Sequence, residues 1–215
     1  AVDEYDWSIE AYESAGFSIN LYEARKGRLL CYIRMQNDEA VKSEMPALLE
    51  IFDRYRRTIG EEYKRNLFFD NEQSVYDIAA GYAYARLGDA EQAFDYAENS
   101  RARSLLDLIN KSQSRPLTLA DIRRRMPPET QMLYYSVLPE KILIWHLADE
   151  NLTVAESPFD DASLNSLLRN YHSALRKKDA ARDETRAAAE RLYEILIKPV
   201  ETALDPKRPV CIVAD

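Results

Sequence analysis

Two spacings of apolar residues divide the chain. In the first half they recur at three- and four-residue intervals, most clearly in AFDYAENSRARSLLDLI, where Phe94, Ala97, Leu105, Leu108 and Ile109 share a helical stripe that Arg101 completes. From Met132 onward the interval shortens to two. QMLYYSVL, KILIWHLA and NLTVAES, joined by the tight turns Pro139-Glu140 and Asp149-Glu150, predict a β-meander. The second run is apolar on both alternating faces, with Ile142 and Ile144 on one and Leu143, Trp145 and Leu147 on the other, so the sheet is expected to be covered on both sides.

Helices are expected after the meander from about Ala162 to Lys177 and from about Arg182 to Leu204, the second with the stripe Ala188, Leu192, Ile195 and Leu196. RPVCIVAD then has the β-branched density of a central strand. In the first half, YDWSIEAYESAGFSINLYEARKG is a helical segment interrupted near Gly16, and Asn37-Asp38 marks a bend between two further helices. SQSRP breaks the chain, and LTLADIRRRMPP predicts a short helix with Thr118 as N-cap, Asp121 three residues later and a double-proline stop. The expected fold is α + α/β. Residues 1–113 form helical hairpins ending in a long linking helix, and residues 114–215 form an α/β part with a meander, two helices and one further strand.

Composition narrows the function classes. A length of 215 residues with 46% hydrophobic content suffices for packed cores, and a net charge of −8 argues against a nucleic-acid footprint or a basic membrane patch over the whole chain. The two cysteines, Cys31 and Cys211, form no CxxC and no Cys/His cluster, so no disulfide framework and no zinc site is expected, and a reducing, cytoplasmic location is the default. KILIWHLA is far too short to cross a bilayer. No P-loop, dinucleotide fingerprint or metal-ligand spacing occurs, and no cofactor is expected.

Within SVYDIAAGYAYARLGDAEQAFDYAENSRA, the small and large residues Gly81, Tyr84, Gly88, Ala93, Tyr96 and Ala97 are spaced in a way that resembles a tetratricopeptide repeat. Gly81 and Ala93 would be the close-contact positions, Gly88-Asp89 the turn, and Asp89 with Gln92 a capping-box-like helix start. Asp77 stands where the repeat often has Trp, and the closing Pro is absent. Such stacks imply a protein- or peptide-binding face, and they need a cap or a neighbouring domain at each end. The start of the chain is expected to be a cut through a longer array.

The order AFDYAENSRARSLLDLI, TLADIRRRMPPETQMLYYSVLPEKILIWHL, RLYEILIKPVETAL and RPVCIVAD resembles the opening part of a CHAT domain, the caspase-like module fused behind tetratricopeptide repeats in bacterial proteins. The likeness covers most of residues 73–215, with SRARSLLDLI and LYEILIKP its distinctive parts. It implies a cysteine peptidase in which a His-Gly segment supplies the general base and a later Ala-Cys segment the nucleophile. This chain has neither segment.

His146 and Cys211 stand in the family's order, but both lie within apolar strand runs, and no glycine follows Gly88 to build an oxyanion-binding turn. They are expected to be structural, the chain to hold no catalytic residue, and the reacting residues to lie beyond Asp215. His172 is expected to be a half-exposed helix residue, Arg123 to Arg125 a solvated helix face, and the acidic pairs Asp160-Asp161 and Glu61-Glu62 to serve helix starts or turns. The expectation is a regulatory and scaffold segment whose partners are a protein or peptide on the repeats and the remainder of the CHAT domain, with no nucleic acid and no membrane. A non-enzymatic interaction module is the alternative. An uncovered edge from Val210 to Ala214 would invite self-association.

Overall fold

The computed structural model describes residues 1–16, 18–58, 74–108, 116–176 and 182–215. The architecture is α + α/β, with helices first and a four-stranded mixed sheet with further helices after them. The chain packs as two compact units, Ala1–Ala79 with Ser104–Lys111, and Ala80–Arg103 with Ser112–Asp215.

The first unit holds α1 (Val2–Ala15), α2 (Ser18–Arg34), α3 (Asp38–Thr58) and most of α4 (Ser74–Tyr82). Helix α1 stops where expected: Gly16 takes a left-handed φ of 73°, the conformation that costs glycine least. The Asn37-Asp38 bend is present too, with the Ala40 N–H donating to Asn37 Oδ1 at 3.2 Å, which satisfies one of the orphan donors of α3. Tyr22 and Leu29 of α2 are buried with Val41, Met45, Leu48 and Phe52 of α3. Phe52 anchors this core, its ring lying 5.8 Å from that of Tyr22 and 5.6 Å from that of Tyr76.

In the second unit, a π-helical turn, Ala83–Leu87, follows α4 and is closed by Gly88 at φ 65°. Helix α5 (Ala90–Leu108) then begins with Asp89 Oδ1 accepting from the Gln92 N–H at 2.8 Å, as the sequence predicts. The helix runs on to Leu108, and Ile109, the last residue of the expected stripe, lies outside the described residues. Short helix α6 (Leu119–Arg125) carries the complete capping box of Thr118 and Asp121. By packing, the hairpin that resembles a repeat is part of this unit from Ala80 to Arg103.

The sheet comprises β1 (Gln131–Leu138), β2 (Lys141–Ala148), β3 (Asn151–Pro158) and β4 (Val210–Val213) in the order β3-β2-β1-β4. The first three are the expected meander, β1 and β2 pairing from Gln131 with Ala148 to Leu138 with Lys141. Both faces are covered. Leu143, Trp145 and Leu147, joined by Met132 and Tyr134, cluster with Ala93, Phe94 and Ala97 of α5. On the other face, Ile142 and Ile144 cluster with Leu133, Tyr135, Ile195 and Val200.

Two expectations are revised. Gly81 is not the close-contact position expected of it: a methyl placed on it would meet Leu138 Cδ1 at an ordinary 3.5 Å and would not reach Ala93. The helix after α7 (Asp161–Arg176) is α8 (Arg182–Leu196), which stops well before Leu204. The proline at 199 lacks an N–H and its ring would strike the carbonyl four residues back, so Lys198–Ala203 winds as a tighter 3-10 turn instead. The last strand has the composition of a central strand and, as expected, lies at an uncovered edge of the described sheet, with Val210 41% and Ile212 62% exposed.

Candidate functional site

The pairing registers decide the fate of His146 and Cys211. His146 on β2 stands opposite Leu133 of β1, whereas Cys211 on β4 stands opposite Met132. Neighbouring residues of one strand point to opposite faces, so the imidazole and the thiol lie on opposite sides of the sheet with β1 between them. Two strand spacings are about 10 Å. The side chains are not brought together, and no thiolate–imidazole pair arises from them.

His146 has other work. Its Nε2 lies 3.1 Å from Gln131 Oε1, which also accepts from the Asp205 N–H at 3.1 Å. The Gln131 amide nitrogen donates to the carbonyls of Asp205 at 2.7 Å and Arg208 at 3.1 Å. This buried amide thereby ties the loop before β4 to the sheet, and with Oε1 accepting, His146 is protonated at Nε2. Arg208 completes the clasp, reaching both carboxylate oxygens of Asp149 at 2.8 Å. Burial, helped by the positive charge of Arg208, holds the His146 pKa below its ordinary value.

A second polar cluster lies behind the aromatic core of the same unit. Phe94, Tyr134 and Trp145 form a mutual ring cluster with centroids 4.7 to 5.8 Å apart. Arg101 lies over the Tyr134 ring at 4.8 Å, donates to its hydroxyl at 3.2 Å and pairs with buried Glu98 at 2.9 Å. Burial, joined by the charge of Glu98, pushes the Tyr134 hydroxyl far above its ordinary pKa, so this group is a neutral structural donor and acceptor rather than a base.

The other flagged residues are ordinary. His172 is exposed on α7, Asp160 caps that helix by accepting from the Ser163 N–H at 2.9 Å, and Glu61-Glu62 lies outside the described residues. Arg123 pairs with Glu91 at 2.9 Å and Arg124 with Asp121, so the basic run is spent on structure at two of its three positions. Among the described residues no group of three or more His, Cys, Asp or Glu is arranged to hold a metal, and no helix is long and apolar enough to cross a membrane.

What remains is an apolar surface along β4. A groove of about 480 Å³ opens between the sheet and helices α7 and α8, lined by Tyr135, Ile142, Leu164, Leu168, Leu192 and Ile212 among others. It continues onto the free edge of β4. Its chemistry suits burial of another polypeptide, since it offers backbone hydrogen-bonding groups beside an apolar trough and no convergent acid, base or nucleophile. Sequence reading foresaw the edge through the composition of RPVCIVAD, and it missed the groove and the Gln131 clasp, for which the sequence carries no periodic signal.

No family model matches the chain, and no curated protein or solved structure does.

Proposed function

We propose that the chain is the scaffold and regulatory segment of a tetratricopeptide-repeat protein fused to a CHAT domain, a caspase-like cysteine peptidase module, with the reacting histidine and cysteine supplied by a further segment. The observation that carries this reading is the uncovered strand β4. It runs parallel to β1 after a helical crossover, and parallel strands of this kind are normally buried on both sides of the sheet and flanked by neighbours. Here Val210 and Ile212 are exposed beside an apolar groove. A surface of that kind gains free energy when further strands and helices cover it.

In this arrangement the helical hairpins hold a protein or peptide partner. Helix α5 has residues in both compact units, so partner binding on the first biases the second if the two states of that helix differ in partner affinity. The chemistry belongs to the added segment: an imidazole that takes the thiol proton and backbone N–H groups that hold the oxyanion. The two free cysteines fit the reducing, cytoplasmic compartment that this reading implies.

The test is the coding sequence that follows the codon for Asp215, together with the peptidase activity of the longer product. A His-Gly segment and a later Ala-Cys segment are expected, with cleavage of a peptide library by the longer product and none by residues 1–215. The absence of both segments would leave a non-enzymatic interaction module in its place. Cleavage by residues 1–215 that vanishes in Cys211→Ser would overturn the reading outright.

A further inference from the structure

The free edge of β4 is complementary to itself. The Gln131 N–H donates to the Pro209 carbonyl at 3.0 Å, so alternation along the strand turns the N–H and C=O of Cys211 toward β1 and those of Val210 and Ile212 outward. Consider a second copy related by a two-fold axis through the sheet, which keeps like faces together. Val210 then stands opposite Ile212 of the second copy, and each such pair exchanges both N–H···O bonds. Cys211 falls on the axis opposite its own symmetry mate.

We propose that residues 1–215 form a two-fold dimer in which β4 pairs antiparallel with β4 of a second copy, with Val210 opposite Ile212 and Cys211 opposite Cys211.

Three features favour this occupant and this register. The strand is charged oppositely at its ends, Lys207 before it and Asp215 after it, and the register sets these two opposite each other, so antiparallel pairing places positive against negative. Parallel stacking of copies would set like against like and leave a fresh open edge, whereas the two-fold closes. Second, the exposed side chains of Val210 and Ile212 cover each other in this register. Third, the register shifted to centre on Ile212 needs the outward groups of Ala214, which lies past the strand end and whose carbonyl already accepts from Arg101 Nη1 at 3.5 Å. The pairing depends on the edge alone, not on the protease reading. In a longer chain whose own strand covers β4, the two occupants exclude each other.

Light scattering and sedimentation of residues 1–215 in reductant test the proposal. A concentration-dependent dimer is expected. Ile212→Pro removes an N–H that the folded monomer does not use, so it is expected to weaken association roughly tenfold or more while leaving the unfolding midpoint of dilute protein in place. If that variant fails to fold, Ile212→Lys, which keeps the N–H and adds charge at an exposed position, is expected to give the same loss.

In a Cys31→Ser background, diamide takes two hydrogens from a pair of Cys211 thiols, is itself reduced to the hydrazine, and leaves one S–S bond. Opposed Cα atoms about 4.5 Å apart at a non-hydrogen-bonded pair lie within disulfide reach. A rapid covalent dimer is therefore expected, and its loss in Ile212→Lys. A monomer at every soluble concentration overturns the proposal, as does a dimer indifferent to both edge substitutions. A dimer that dissociates in Ile212→Lys yet resists cross-linking at Cys211 overturns the register, and with it the pairing stated here.

Discussion

Replacing Glu44 with glutamine tests the polar hub of the first unit. This carboxylate is 8% exposed on α3 and receives Arg25 at 3.2 Å and Arg28 at 2.5 Å, both from α2. Each arginine also reaches back to α1, Arg25 to Glu13 at 2.8 Å and Arg28 to Asp6 at 2.5 Å. Glutamine keeps the shape but offers one carbonyl oxygen, and its amide group would face the second guanidinium donor to donor. Removing one partner of a buried ion pair costs about 3 to 5 kcal/mol when the other charge is stranded. Here the guanidiniums keep a half-exposed carboxylate each, so the expected loss is about 2 to 4 kcal/mol.

The matched control is Glu50→Gln, which breaks an exposed pair with Arg54 on the outside of the same helix and is expected to cost less than about 0.5 kcal/mol. Urea unfolding followed by amide hydrogen exchange in α2 and α3 reads the first unit separately. With a slope of about 1 to 3 kcal/mol per molar, Glu44→Gln should lower the midpoint by about 0.7 M or more. Equal midpoints for the two variants would refute the idea that the buried carboxylate clamps three helices.

Other consequences are open to measurement. Trp145 is fully buried and its indole N–H donates to the Ala90 carbonyl at 3.1 Å, so Trp145→Ala should destabilise the second unit by about 3 to 5 kcal/mol in thermal unfolding. His146 is harder to protonate in the folded chain than at its ordinary value of 6.5, so the unfolded chain binds more protons just below that pH. Its contribution is therefore complete above 6.5 and is lost as the pH falls toward the depressed folded value, a slope that should flatten in His146→Gln when midpoints are measured across that window. Gly88→Ala, at φ 65°, should cost about 1 kcal/mol, whereas Gly81→Ala meets only an ordinary contact at 3.5 Å and should be neutral or gain up to about 1 kcal/mol of helix propensity in the same melts.

The sequence made the meander fully legible because each strand carries its own period and its turns are two residues long, so no distant contact is needed to place Ile144 and Trp145 on opposite faces. The caps at Asp89 and Thr118 were legible for the same reason: a cap is a local bond. Helix α8 was read too long because its stripe continues in Val200 while the proline at 199 had already forbidden the α-helical hydrogen bond. Glu44 left a trace that could have been used, a charged residue inside the stripe of Val41, Met45, Leu48 and Phe52. Gln131 left none, since its partners lie some 74 and 77 residues away in the loop before β4.

The two edges of the sheet argue most directly for a covered β4. β3 is an edge as well, and its sequence treats it as one: Asn151, Thr153 and Glu156 are exposed, Glu156 pairs with Lys141 at 2.8 Å, and Pro158 ends the strand. β4 shows no such precautions between Val210 and Val213, where four apolar residues stand with no charge among them. Both edges belong to one sheet and meet the same solvent, so the solvent cannot account for the difference. A free row of Val, Cys, Ile and Val is a liability unless something pairs with it, and the exposed Ile212 beside an apolar groove marks where that something sits. Whether the occupant is a second copy or a further strand of a longer chain, backbone pairing at Val210 and Ile212 is common to both, so one substitution, Ile212→Pro, is expected to release either.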